Sequence, residues 1–218
     1  MRIYLDTADI ETVRRLTAWG AFAGVTTNPV ILARAGLGSA EAVSAICGAQ
    51  PGDVFVQVDG DDPDEMERRV RELNAIVPAR TMIKLPPTPA GLTVMHRLRD
   101  ERIWTAATAL FSLGQALLAA SAGADVVIPF HHRIAERGHD ADRVVRDMVE
   151  LSARRGGKPK VLVASLKRVE DVLSVARIGA WGATIPPGLA DDLIRNDGTA
   201  EVLARFAAAS SGAVRETE

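Results

Sequence analysis

Lys84 is the residue of this sequence best suited to covalent chemistry. It lies in Thr81-Met82-Ile83-Lys84-Leu85-Pro86-Pro87, an apolar strand-like segment with a rigid Pro-Pro exit. Burial strips an ammonium of its hydration, lowers the lysine pKa toward neutrality and leaves a free amine able to attack a carbonyl. Only four of the 26 basic residues are lysines, at 84, 158, 160 and 167, so a Lys rather than an Arg inside this segment stands out. The plain alternative is a strand-end lysine that snorkels to solvent. Asp6 ends the apolar run Ile3-Tyr4-Leu5, where a carboxylate is suited to moving a proton during carbon–carbon cleavage. It could instead cap a helix, but Thr7 and Asp9 stand nearer the next helical pattern and would leave Asp6 free. Thr26-Thr27-Asn28-Pro29 puts hydroxyls and an amide after a third apolar run; Pro29 stops the strand, and Asn28 offers a donor and an acceptor to a hydroxylated ligand. Taken alone, that tetrad would read as a turn.

The elements that must position these groups follow from an alternation of short β-branched runs with longer amphipathic stretches. Strands are expected over 2–6, 22–26, 54–58, 80–85, 102–107, 125–129, 160–164 and 183–185. Helices are expected over 10–18, 40–47, 63–76, 89–99, 113–121, 141–153, 169–178 and 189–195. A helix after every strand supplies the crossovers that parallel strands need, and eight such units favour closure into a single (β/α)8 TIM barrel. Glycines at 20, 123 and 179 fall where helices should end. Residues 1–218 read as one domain. An extra C-terminal helix, about 199–210, is expected to pack on its own barrel or a neighbour, with a polar tail over 211–218. Barrels of this kind build their sites at the C-terminal ends of the strands. Those ends carry Asp6, Thr26 with Asn28, Gln57, Lys84, Thr108, Arg133 and Ser165.

Composition narrows the partners. A hydrophobic content of 47% with 25% charged residues describes an ordinary globular chain. A net charge of -2 offers no basic face for a phosphate backbone, so a nucleic-acid partner is not expected. No run approaches the roughly 20 apolar residues of a membrane span, and the first residues reach Asp6 without the apolar core of a signal peptide. Cys47 is the only cysteine and cannot pair internally; a cytoplasmic protein is expected. The four histidines and one cysteine show no metal-ligand spacing, and no metal or cofactor is expected.

Five motifs carry a resemblance to a known family. Leu-Asp-Thr-Ala-Asp at 5–9, Gly-Val-Thr-Thr-Asn-Pro at 24–29, Ile-Lys-Leu-Pro at 83–86, Pro-Phe-His-His-Arg-Ile at 129–134 and Ala-Ser-Leu-Lys at 164–167 resemble the small transaldolases and fructose-6-phosphate aldolases, in family order. The resemblance implies a class I mechanism in which Lys84 forms a Schiff base with a ketose phosphate and holds a dihydroxyacetone unit as an enamine. Asp6 would transfer the proton, and Gln57 with Thr108 would orient the water of imine formation and hydrolysis. Thr26 and Asn28 would bind the hydroxyls of the three-carbon unit. Arg133 and Ser165, with Lys167, would hold the phosphate, for which a guanidinium and a hydroxyl are chemically apt. The imine is its own electron sink, so no cofactor is required. Fructose 6-phosphate or sedoheptulose 7-phosphate would be the donor and an aldose phosphate the acceptor.

Two departures bear on the reaction. Family transaldolases carry Glu on the third strand and Phe after the sixth, the aldolases Gln and Tyr; this chain has Gln57 and Phe130. An amide cannot act as a base. Phe130 lacks the hydroxyl that would hold a further water, which favours passing the enamine to an aldehyde over protonating it, and hence transaldolase over aldolase. His131 and His132 replace smaller or amide side chains and either face the acceptor or its phosphate or are plain polar loop residues. A non-catalytic sugar-phosphate-binding barrel and a deoxyribose phosphate aldolase are the other readings. The joint presence of Lys84, Asp6 and Thr108 argues against the first, the Thr-Thr-Asn-Pro tetrad against the second. By resemblance the chain would assemble as a homo-oligomer, a pentamer or decamer joined by the C-terminal helix.

Overall fold

The computed structural model describes residues 1–215 as a closed barrel of eight parallel strands in sequence order. The strands are β1 (Arg2–Asp6), β2 (Gly24–Thr26), β3 (Asp53–Gln57), β4 (Thr81–Leu85), β5 (Trp104–Leu110), β6 (Val126–Pro129), β7 (Lys160–Val163) and β8 (Gly182–Ile185). Around them run α1 (Ile10–Thr17), α2 (Pro29–Ala35), α3 (Ser39–Ala49), α4 (Pro63–Ile76), α5 (Pro89–Leu98), α6 (Leu113–Ala122), α7 (His131–Glu136), α8 (Ala141–Arg154), α9 (Val169–Ile178), α10 (Pro187–Ile194) and α11 (Asp197–Arg215). This is the TIM barrel expected from the alternating pattern.

Register decides which residues face inward. Tyr4 is opposite Thr184, Gln57 opposite Lys84, and Lys84 opposite Ala106. Tyr4 and Phe55 fill the barrel floor edge to face, 5.3 Å between ring centroids, with Val126, Ile128 and Leu162 packed around them. Room for the Tyr4 ring comes from Gly182, where a Cβ would lie 3.4 Å from Tyr4 Cε2 and 3.0 Å from Leu162 Cδ1. With the floor plugged by aromatic and aliphatic side chains, Lys84 and its polar neighbours occupy the layer above it.

Side-chain caps fix where the loops above the strands end. Asp9, Asn28, Asp62, Thr88, Ser112 and Asp140 each accept a main-chain N–H in the first turn of α1, α2, α4, α5, α6 and α8. Each such cap contributes about 1 kcal/mol. Because Asp9 takes the cap of α1, Asp6 is not spent on it.

Several local expectations are corrected. The helix expected over 40–47 is α3, and a further helix, α2, precedes it, because Pro29 opens a helix at its first turn instead of only ending a strand, and Gly36, at φ 67°, closes it. The stretch after β6 is the short helix α7 rather than a loop. β5 runs on to Leu110 through a bulge where Ala109 takes φ 57°. The last helix runs from Asp197 to Arg215 rather than 199–210, and the rest of the expected tail, 216–218, lies outside the described residues. Trp19 and Trp104 are 42% and 45% exposed, while Trp181 packs on Tyr4 at 5.9 Å.

Candidate active site

The sequence β4 buries Lys84 by flanking it with Ile83 and Leu85 on a strand paired on both sides, which leaves the residue 4% exposed. Its Nζ donates to the main-chain oxygen of Thr27 at 2.5 Å. Burial pulls the amine from 10.5 down to about 8, against the opposing pull of the Asp6 and Asp59 carboxylates. At pH 7 roughly a tenth of such an amine is neutral, several hundred times the fraction of an unperturbed lysine.

Asp6 closes β1 beside it. Burial raises its carboxyl above the usual carboxylate range, opposed first by the Lys84 charge, then by the Thr26 hydrogen bond and by Lys167. The Thr26 hydroxyl donates to Asp6 Oδ1 at 2.8 Å, so the Thr184 hydroxyl, 2.6 Å from Thr26 Oγ1, is the donor in the second link. A carboxyl with a raised pKa and an amine with a lowered one thus share one buried compartment, driven toward each other from opposite sides.

A cavity of about 100 Å3 opens over these groups. Asp6, Lys84, Thr26, Asn28 and Thr184 line it together with Phe130, Arg133, Ser165 and Lys167. Asn28 Oδ1 is occupied by the N–H of Ile31 at 3.0 Å, so the side chain presents its amide NH2 to a ligand and not the donor and acceptor together. Ser165 holds φ 62°, a left-handed conformation costly for a residue with a Cβ, and its carbonyl accepts from His132 N at 3.0 Å. The Arg133 guanidinium stacks 5.1 Å from the Phe130 ring.

Gln57 and Thr108 are not part of the cavity wall. Gln57 stands opposite Lys84 in the β3–β4 register, and its amide nitrogen donates to Asp59 Oδ1 at 2.7 Å. Since a carboxylate only accepts, the carbonyl end of Gln57 is the end left free. Thr108 is fully buried beside the β5 bulge and its hydroxyl has no hydrogen-bond partner. A buried hydroxyl without a partner costs about 1–3 kcal/mol. His131, read as facing the acceptor or its phosphate or as a polar loop residue, turns outward in a helix instead: Nε2 lies 2.8 Å from Asp142 of α8. Thr184 and Asp59 were missed in sequence; a polar residue in the inward register of β8 was the available signal for Thr184. Among the described residues, no group of three or more His, Cys, Asp or Glu could hold a metal ion.

The model of the family described as Transaldolase/Fructose-6-phosphate aldolase matches residues 3–217. The chain belongs to that family. Two transaldolase-family relatives, each named "Probable transaldolase", are 38% identical. One, from Kosmotoga olearia, aligns over 206 residues and 94% of both chains. The other, from Moorella thermoacetica, aligns over 208 residues, 95% of this chain and 96% of its own. The chain is therefore an enzyme of the transaldolase family. Inosine 5' monophosphate dehydrogenase from Legionella pneumophila shares the fold alone, with a TM-score of 0.62 and 14% identity over 87% of this chain and 59% of that one.

Proposed function

We propose that this enzyme transfers a dihydroxyacetone unit from a ketose phosphate, fructose 6-phosphate or sedoheptulose 7-phosphate, to an aldose phosphate through a Lys84 Schiff base. The observation that carries the reading is the buried amine at about 8 sharing a cavity with the raised Asp6 carboxyl. Neutral Lys84 adds to the C2 carbonyl of the donor, and loss of water leaves an iminium. Ionised Asp6 takes the C4 hydroxyl proton as the C3–C4 bond breaks; an aldehyde leaves and the bond electrons pass into the enamine. The same steps in reverse join the enamine to an acceptor aldehyde, and water returns the amine. Gln57 and Thr108 hold that water, and Thr26 and Asn28 the hydroxyls of the three-carbon unit. Arg133, Ser165 and Lys167 hold the phosphate.

Phe130 favours transfer over release. Its ring packs 6.2 Å from Phe111 and carries Arg133 on one face, so the residue at this position supplies no hydroxyl to hold a water near the enamine carbon. Release of free dihydroxyacetone is the competing outcome. The pentose phosphate pathway of the cytoplasm is the setting we propose, from the sugar-phosphate chemistry of the family. Assembly as a homo-oligomer is part of the same reading: Leu203 and Phe206 on α11 are 59% and 64% exposed, an apolar face suited to a second copy.

The test is to incubate the enzyme with fructose 6-phosphate, reduce with borohydride and locate added mass by peptide mass spectrometry. A three-carbon adduct on Lys84 is expected, and erythrose 4-phosphate added before reduction should carry the unit off as sedoheptulose 7-phosphate. Absence of any adduct with every ketose phosphate tried would overturn the mechanism.

A further inference from the structure

The His131 imidazole is buried, 8% exposed, yet it points away from the cavity. Its Nε2 meets Asp142 Oδ1 at 2.8 Å, and Asp142 Oδ2 accepts from the Ser174 hydroxyl at 2.5 Å. Burial pushes the Asp142 carboxyl up, but the Ser174 hydroxyl, His131 and the Arg146 charge outweigh it and hold the group below the usual carboxylate range. An ionised Asp142 can only accept, so Nε2 carries the hydrogen and donates it. One chain of side-chain hydrogen bonds therefore joins α7, α8 and α9.

The groups proposed to grip phosphate hang from the elements that this chain ties together. Arg133 lies two residues beyond His131 on α7. His131 N donates to Ala164 O at 2.9 Å and His132 N to Ser165 O at 3.0 Å, so the start of α7 holds Ser165 in its left-handed conformation. Asp171, in the first turn of α9 and 5% exposed, accepts from the main-chain nitrogens of Lys167 and Arg168 at 3.1 and 3.0 Å, and Ser174 is the next turn of the same helix.

We propose that His131 is a positioning residue: the His131–Asp142–Ser174 chain locks α7 against α8 and α9 and thereby sets the spacing of Arg133, Ser165 and Lys167 for a phosphate monoester. The proposal rests on the reading that these three residues form the phosphate subsite. It assigns His131 no contact with substrate and no proton transfer.

The experiment compares two donors, fructose 6-phosphate and dihydroxyacetone, which has no phosphate, by the concentration dependence of borohydride trapping at Lys84 and by turnover. His131→Phe keeps an aromatic ring, somewhat larger than imidazole, and removes both ring nitrogens. We expect the half-saturating concentration for fructose 6-phosphate to rise about tenfold, the worth of one charge-assisted hydrogen bond, with dihydroxyacetone trapping unchanged. Ser174→Ala, a milder change, should move the same ratio in the same direction. His131→Gln, which restores a donor near the Nε2 position, should recover part of the loss. The double variant with Asp142→Asn should be no worse than either single one. Equal effects on both donors, or additive losses, would overturn the positioning role while leaving the phosphate subsite intact. If instead the unchanged enzyme treats both donors alike, the subsite reading fails, and the proposal with it.

Discussion

Lys84 Nζ lies 2.5 Å from the main-chain oxygen of Thr27, reaching past β3 to the end of β2. The contact uses one N–H of the amine. It survives deprotonation, because a neutral amine keeps N–H donors while gaining the lone pair that attacks the carbonyl. A main-chain acceptor cannot be mutated away, so the geometry is set by the backbone after β2.

The lowered pKa of Lys84 makes stability depend on pH in a known direction. Below about pH 8 the lysine is charged in both folded and unfolded chains, and the burial penalty is fully present. Between about 8 and 10.5 only the unfolded chain holds the proton, so rising pH stabilises the fold. Lys84→Met is expected to abolish adduct formation and to remove a penalty on the order of 3 kcal/mol at pH 7, offset in part by the Thr27 oxygen left unpaired. Urea denaturation at 25 °C at pH 7 and at pH 9.5 reads this: the advantage of the variant over the parent should shrink at the higher pH. A gap that does not change with pH would mean that Lys84 is not perturbed by burial.

Asp6→Asn should separate imine formation from cleavage. The amide cannot accept the C4 proton, while Lys84 still meets the carbonyl. Turnover should fall by about 10²–10⁴, the worth of a positioned proton-transfer group. The borohydride-trapped species from fructose 6-phosphate should become the intact six-carbon adduct instead of the three-carbon one. A three-carbon adduct formed at the parental rate would remove Asp6 from the cleavage step.

The barrel and its mouth were legible because both follow from periodicity. Alternating strand and helix patterns predict eight parallel strands, and a strand's two-residue period puts Asp6, Thr26 and Lys84 on its inner face. What was not legible depends on where chain segments meet in space. No local signal says that His131 turns outward to Asp142, eleven residues on, or that Gln57 gives its amide to Asp59. α7 escaped because six residues are too short for a helical period, and the helix is held by tertiary contacts of its buried His131 and Ile134. Asn28 was legible as polar but not as a cap, since the helix it caps begins at a proline that reads equally well as a strand terminator.

Thr26 tunes Asp6 through a single hydrogen bond. Its hydroxyl donates to the carboxylate at 2.8 Å and lowers the pKa that burial raises. Thr26→Val removes the donor at nearly constant volume; neutral Lys84 and ionised Asp6 both place their ionisations on the acid side of the kcat/KM profile, and the Asp6 ionisation should shift to higher pH. The Lys84 ionisation should also shift, but less, because it feels Thr26 only through Asp6. An acid limb at the parental pH would mean that another group controls it.

Gln57 and Asp59 are coupled in a way that predicts a paired substitution. The amide donates to the Asp59 carboxylate at 2.7 Å, which a carboxylate in its place could not do. Gln57→Glu alone would set two carboxylates against each other at that distance, and one of them would hold its proton well above the usual range. The single variant should therefore be slow near pH 7 and recover only as the pair loses its shared proton at higher pH. Adding Asp59→Asn removes the repulsion and restores a donor to the new carboxylate, which then ionises and can take a proton from the hydrolytic water. The double variant should exceed the single one in turnover at pH 7 by roughly tenfold or more, within the range of general-base effects. Stopped-flow release of the three-carbon unit from the Lys84 adduct measures the step itself. Equal rates for the single and double variants would show that Gln57 acts on the water independently of Asp59.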